Sequence, residues 1–257
     1  MFRPAGLILL CSAVFGTVVP AAADTHAFRA EYSVSLLGLT IGRGTFDSSF
    51  SPDGFTIKGS VGSAGLARVF DKTTAVTEVQ GAVRRDTAHP LSYRITYTQG
   101  SKKGDTKIRF SGNGVDSFEN APPTPKRERW VPLTDEVLRA AVDPLTSTLI
   151  RTEDPAAVCD RTVRFFDGEL RADLRFSLRG TTAVPGFTGE GVTCDVSFVP
   201  VAGYQQGRSQ IEFLKNRSRI SITFVKLGET GFYTPASAQV GTQIGTLRVT
   251  AERIVPR

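Results

Sequence analysis

Thr134–Leu178 reads TDEVLRAAVDPLTSTLIRTEDPAAVCDRTVRFFDGELRADLRFSL, and it divides the chain into two β-rich halves. Val137, Leu138, Ala141, Val142, Leu145, Leu149 and Ile150 fall at the spacing of one helical face. Thr134 suits an N-cap, and Asp135 and Glu136 suit the positive end of a helix dipole. Asp143 and Pro144 would restart the helix as cap and first residue, and Pro155 would end it. The spacing therefore predicts a helix over Thr134–Arg151, acting as a plug that joins and covers the two halves. Beyond it, Val163–Phe166 and Leu170–Leu178 flank Asp167-Gly168, a hairpin turn signal. Leu170, Ala172, Leu174, Phe176 and Leu178 alternate with Arg171, Asp173, Arg175, Ser177 and Arg179, which predicts one buried and one wet face.

Toward the N-terminus, Phe28, Ala30, Tyr32, Val34 and Leu36 share one face of a half-buried strand. Strands follow over Leu39–Phe50, Phe55–Ser60, Thr73–Val83, Leu91–Gln99, Thr106–Phe110 and Val115–Phe118, with turns at Ser51-Pro52-Asp53-Gly54, Gly100–Gly104 and Gly112-Asn113-Gly114. Gly62–Phe70 reads as a short helix or a bent crossover, and the prolines of Ala121–Pro132 exclude a central strand there. Toward the C-terminus, strands are expected over Val192–Val201, Arg219–Leu227 and Gln243–Ile254, while Ile211–Leu214 is ambiguous. The fold class is mainly β: a curved antiparallel sheet forming an open barrel or β-spiral with a short helical insert.

Residues 1–23 read as a secretory signal peptide. Arg3 is its positive region, Leu7–Val19 its apolar run, and Ala21-Ala22-Ala23 a small-residue cleavage site. The run is short of the roughly 20 apolar residues needed to span a bilayer. Cys11 within it follows Leu10 rather than a small residue, which argues against lipidation. The expected mature chain, 24–257, is one β-rich domain that is not membrane-spanning. Cys159 and Cys194 are its two cysteines, and an even pair in an exported chain predicts a disulfide. Net charge is +6, spread as single Arg residues along strands rather than as a nucleic-acid patch. No nucleic-acid partner is expected, and an anionic envelope component is a candidate partner.

No catalytic, cofactor-binding or metal constellation emerges, and no cofactor is expected. His26 and His89 lack ligand partners at metal spacing, and no Gly-x-Ser-x-Gly elbow occurs. Asp135-Glu136 and Glu153-Asp154 are the carboxylate pairs a hydrolase would draw on, though helix start and helix end explain them better. Gly38, Gly42 and Gly44 lie in a strand context with no following helix, so they mark bends rather than a phosphate loop. Lys126, Arg127 and Arg129 beside Trp130 form a basic-aromatic loop, read as a solvated loop with one packed indole before it is read as a contact site.

The order of several short motifs resembles a bacterial exported family of unknown function, DUF3108. They are Tyr32-Ser-Val-Ser-Leu-Leu-Gly-Leu-Thr-Ile-Gly42, Gly65-Leu66, Pro90-Leu-Ser-Tyr93, Asp143-Pro144-Leu145, Cys159, and Phe166-Asp167-Gly168 with Arg171. The resemblance implies a periplasmic location and an architecture similar to lipoprotein carriers, and it brings no catalytic residues. The expectation is a non-enzymatic periplasmic protein supporting the cell envelope, holding a lipid or lipoprotein segment in a concave apolar groove. The alternatives are a protein-interaction module with a fully packed core, or a carboxylate-based hydrolase. Packing by Leu138, Val142, Leu145 and Leu149 separates the first two.

Overall fold

The structure, a computed structural model, describes residues 25–65, 67–70, 72–84, 87–125, 127–187 and 189–257. The expected signal peptide at 1–23, Leu66 and Lys126 lie outside them. The described chain opens with seven strands: β1 (His26–Leu36), β2 (Leu39–Phe50), β3 (Gly54–Ser63), β4 (Thr73–Arg84), β5 (Thr87–Gln99), β6 (Lys102–Ser111) and β7 (Gly114–Ala121). A single helical turn, α1 (Ala67–Phe70), links β3 to β4. After the insert come β8 (Trp130–Val131), α2 (Asp135–Leu138), β9 (Ile150–Arg151), β10 (Arg161–Phe166), β11 (Arg171–Ala183) and β12 (Glu190–Ala202). The chain ends with β13 (Tyr204–Gln205), α3 (Ser209–Asn216), β14 (Ile220–Lys226), β15 (Phe232–Thr242) and β16 (Gly245–Pro256).

One antiparallel sheet dominates, in the order β10-β11-β12-β14-β15-β16-β1-β2-β3-β4-β5-β6-β7, with β9 added on β15. The two halves join where the first strand meets the last, in a ladder running from Phe28↔Pro256 to Leu36↔Leu247. Register shifts at Glu31/Tyr32, Val34/Ser35, Gln80/Gly81 and Thr223/Phe224 interrupt the ladders, and such bulges bend a sheet. Aromatic rings lie across cross-strand glycines on the concave side: a Cβ on Gly59 would stand 2.4 Å from Phe46, and one on Gly81 2.3 Å from Phe55.

The sheet does not close, and β7 and β10 are its edges. The insert binds both. Arg139 bridges Gly114 of β7, and the Ala140 N–H donates to Asn113 O at 2.8 Å. Val142 forms a parallel bridge with Phe165 of β10, receiving Phe166 N–H at 2.9 Å and donating to Arg164 O at 2.8 Å. Asn120 donates to Gly168 O at 2.8 Å, and Phe118 meets Phe166 edge-on at 5.2 Å, so the two edges also touch directly.

These bonds explain why the expected helix over Thr134–Arg151 is absent. Thr134 does cap a helix, receiving Val137 N–H, but α2 stops after one turn at Leu138. Ala140 takes φ 55°, outside the helical region, and its backbone pairs with a strand edge. Pro144 removes a helical donor and disfavours helix at Asp143. What remains is a 3-10 turn over Thr146–Thr148 that leads into β9.

Three other expectations change. The ambiguous Ile211–Leu214 lies inside α3, the longest described helix. Leu178 was expected inside but is 53% exposed, at the last pair, Leu178↔Cys194, before the ladder to β12 shifts register. Arg171 was expected on the wet face but is 2% exposed; its Nε donates to Val137 O at 2.9 Å and its guanidinium pairs with Asp173 at 2.8 Å.

Phe28, Phe50, Phe55, Ile57, Val79, Ile108, Phe166 and Phe232 anchor the main core on the concave side. A second cluster surrounds Cys159 and Cys194, which are joined by a disulfide with Cα atoms 5.4 Å apart. The bond ties the short turn Pro155–Val158 to β12, across 35 residues of sequence. A loop of that length contributes about 3–4 kcal/mol by restricting the unfolded chain. Cys159→Ser with Cys194→Ser should lower the unfolding free energy in urea by about that amount. Reductant should destabilise the wild type equally and leave the double variant unaffected; a reductant effect on the variant would refute the assignment.

Candidate functional site

The inward side chains of β1 become one wall of a cavity. Phe28, Ala30, Tyr32 and Val34 line it from β1, and Gly44, Phe46, Ser48 and Phe50 from β2. Ile57 and Val61 of β3 extend that wall. Ile222 of β14, Thr234, Pro235 and Ala238 of β15, and Val249 and Ile254 of β16 form the other side. Leu145, Thr148 and Leu149 of the insert cover it. The cavity, open at one end, has a volume of about 320 Å³, at the lower end of small-molecule sites.

The insert thus fills only part of the groove. Leu145 and Leu149 reach the cavity, Leu138 packs into the main core, and Val142 serves the β10 edge. The closed end is aromatic: Phe28 and Phe50 lie 6.4 Å apart, and Phe50 meets Phe232 at 4.8 Å. The other end runs out between Val34 and Val61, the latter 36% exposed. From Phe28 to Val34 the strand rise gives the cavity a length of roughly 20 Å.

No charged side chain lines this cavity among the described residues. Two of its polar groups already have partners: Tyr32 donates its hydroxyl to Pro235 O at 2.7 Å, and Thr148 donates to Leu145 O at 2.7 Å. Burial pushes the Tyr32 phenol up to about 12, so it is neutral here. Tyr32 also stacks edge-on against Phe46 at 5.7 Å. Water entering this space would find few hydrogen-bonding partners, whereas an aliphatic chain loses none.

Asp143 holds the covering segment. Its Oδ1 receives the N–H groups of Leu145 and Thr146, each at 2.9 Å, which fixes the turn that aims Leu145, Thr148 and Leu149 inward. The carboxyl is fully buried, and that burial outweighs these hydrogen bonds, pushing it up to about 6 from 3.8.

The sequence-derived candidates lie elsewhere. Asp135 and Glu136 are exposed in the first turn of α2, Glu153 pairs with Lys226 at 3.1 Å, and Asp154 caps the turn at Pro155. Asp167 receives Glu169 and Leu170 N–H groups within its hairpin. Gly42 and Gly44 sit within β2, and Gly38 forms the β1–β2 turn at φ 81°. Trp130 is half-buried in the short β8–β13 ladder, with Arg127 and Arg129 exposed beside Glu169 around a second groove. His26 and His89 are exposed, and no cluster of three or more His, Cys, Asp or Glu occurs among the described residues. No described helix is long and apolar enough to cross a membrane.

The sequence profile of DUF3108, described as a protein of unknown function, matches residues 31–252. No curated protein matches the chain. Among solved structures, a crystal structure described as a beta-barrel-like protein of domain of unknown function DUF1849 from Brucella abortus aligns at 10% identity. The alignment covers 92% of this chain and 100% of that one, with a TM-score of 0.49.

Because Asp143 holds its proton more tightly folded than unfolded, it adds stability as pH falls through about 6, and the gain is complete below 3.8. The full span is about 3 kcal/mol. Asp143→Asn keeps an acceptor for the two N–H groups but does not titrate. The wild type should therefore gain about 2 kcal/mol over the variant in urea melts between pH 7 and pH 4; a pH-independent difference would overturn the assignment.

Proposed function

We propose that this chain, which belongs to the DUF3108 family, is an exported, non-enzymatic protein of the cell envelope that binds one apolar chain of a lipid or lipoprotein. The observation carrying this reading is the uncharged cavity on the concave face, whose Tyr32 and Thr148 hydroxyls are bonded internally and whose length suits an extended acyl chain. The signal-like sequence at 1–23 and the cysteine pair support the extracytoplasmic setting. Binding would rest on removing aliphatic surface from water, at about 25 cal/mol per Å². Specificity for the chain's head group would come from residues at the Val34–Val61 end.

A fully packed interior would have favoured a protein-interaction module. The incomplete cover by Leu145 and Leu149 favours the binder. Ala30 and Ala238 face the cavity with small side chains, so Ala30→Phe with Ala238→Phe should fill it. A fluorescent fatty-acid probe should bind the wild type in solution and lose at least about tenfold affinity for the double variant. Mass spectrometry of natively purified protein should show a stoichiometric lipid or acylated species. Equal probe binding by both proteins, or no probe binding by a lipid-free wild type, would overturn the reading.

A further inference from the structure

Alternate turns of an up-and-down sheet fall at the same end. Here the β1–β2 turn, the β3–β4 link, the β5–β6 turn and the β15–β16 turn share the end at which the cavity runs out. α3 packs there too, its Ser209 O receiving the Gln243 side-chain N–H at 3.4 Å.

The turns carry residues that neither local geometry nor solvent favours. Leu37 occupies φ 52° at the tip of a two-residue hairpin, where Asn, Asp or Gly is the ordinary choice. It is 74% exposed, Leu39 beside it 59%, and Ile244 on the β15–β16 turn 70%. The two tips are adjacent, since a Cβ on Gly245 would stand 2.7 Å from Leu37 Cδ2. Large aliphatic side chains held at turn apices break the local preference and are placed to enter an apolar phase.

The apolar surface continues inward. Leu36 pairs with Leu247, and Val34 with Val249 at the cavity wall, so an uninterrupted aliphatic track runs from the tips to the cavity.

The charge at this end is predominantly basic; Asp167 and Glu169 of the β10–β11 turn are exceptions, and Glu169 stands beside Arg127 and Arg129. Arg43 and Arg248 flank β1, Lys102 and Lys103 stand at the β5–β6 turn, and Arg217 and Arg219 follow α3; all are exposed and none has an ion pair among the described residues. Across the segments 36–43, 62–74, 98–104, 208–221 and 241–248, the acidic residues are Asp71, outside the described residues, and Glu212, which receives a hydrogen bond from Asn216. A second copy meeting the same end would oppose cation to cation. An anionic lipid surface complements both the charge and the aliphatic tips.

The geometry points to this end of the sheet as a docking surface for an anionic bilayer, with Leu37, Leu39 and Ile244 inserted among the lipids and the basic rim on the head groups. Docking there would turn the cavity mouth toward the source of its ligand. The inference stands on the tips and their charge, and does not require the cavity to be occupied.

Sedimentation of the 24–257 chain with vesicles tests it. The protein should pellet with vesicles of phosphatidylglycerol and phosphatidylcholine, much less with phosphatidylcholine alone, and less as salt is raised. Leu37→Ser with Leu39→Ser and Ile244→Ser should weaken vesicle binding at least about tenfold, with an unchanged circular-dichroism melt. Leu91→Ser, an exposed aliphatic toward the opposite end of β5, should bind as the wild type does. Ala30→Phe with Ala238→Phe should retain vesicle binding, so the two readings fail separately. Equal pelleting with neutral and anionic vesicles, equal binding by the tip variant, or a wild-type dimer that the tip variant dissolves would overturn the proposal.

Discussion

An open sheet has two edges, and every unpaired backbone group along them is a liability. In this chain the segment between β7 and β10 answers to both edges at once, and much else depends on that. Arg139 and Ala140 face β7 while Val142 faces β10, three residues apart in sequence. This fixes how near the edges approach and therefore how strongly the intervening strands curve. Supporting contacts come from side chains of β10, β11 and β7: Arg164 donates to Arg139 O, Arg171 to Val137 O, and Asn120 to Gly168 O. Arg171 is buried for this reason. A helix over the same residues would spend its backbone bonds internally and leave both edges unpaired.

The cavity is the geometric remainder of that arrangement. A curved sheet with Phe, Tyr, Val and Ile on its concave face encloses more space than a short insert can fill. Leu145 and Leu149 occupy part, and the direction they point is set by a single buried carboxyl, Asp143. The turn is thus held from behind by a polar group, while its front stays aliphatic. Replacing the covering segment by a true helix would bring more side chains inward and remove the space.

Much of this was legible in the sequence. The alternation from Phe28 to Leu36 marked the cavity wall itself, and Asp167-Gly168 marked a hairpin. Apolar spacing over Val137–Ile150 correctly identified an inward face but not the backbone carrying it, because 3.6-residue spacing records which side chains are buried and not where the N–H groups go. β15 was missed: Pro235 and Gly241 dilute its β signal, and Pro235 is tolerated beside the register shift at Thr223/Phe224. The exposed tips were invisible for a different reason. Leu39 and Ile244 read as ordinary strand residues and Leu37 as part of the turn at Gly38; only the ladders show that Leu37 and Ile244 lie beyond the last pairs, Leu36↔Leu39 and Thr242↔Gly245.

The ladder between β1 and β16 has a consequence in time as well as space. β1 borders one half of the sheet and β16 the other, with Phe28 opposite Pro256 and Arg257 N–H bonded to Ala27 O. Nothing earlier in the chain can take the place of β16 along that ladder. The seam between the halves therefore forms only once β16 has been made, and every species lacking it exposes the flank of β1. Contacts of such long sequence separation also make for slow folding. The sheet stays in two halves until β16 arrives.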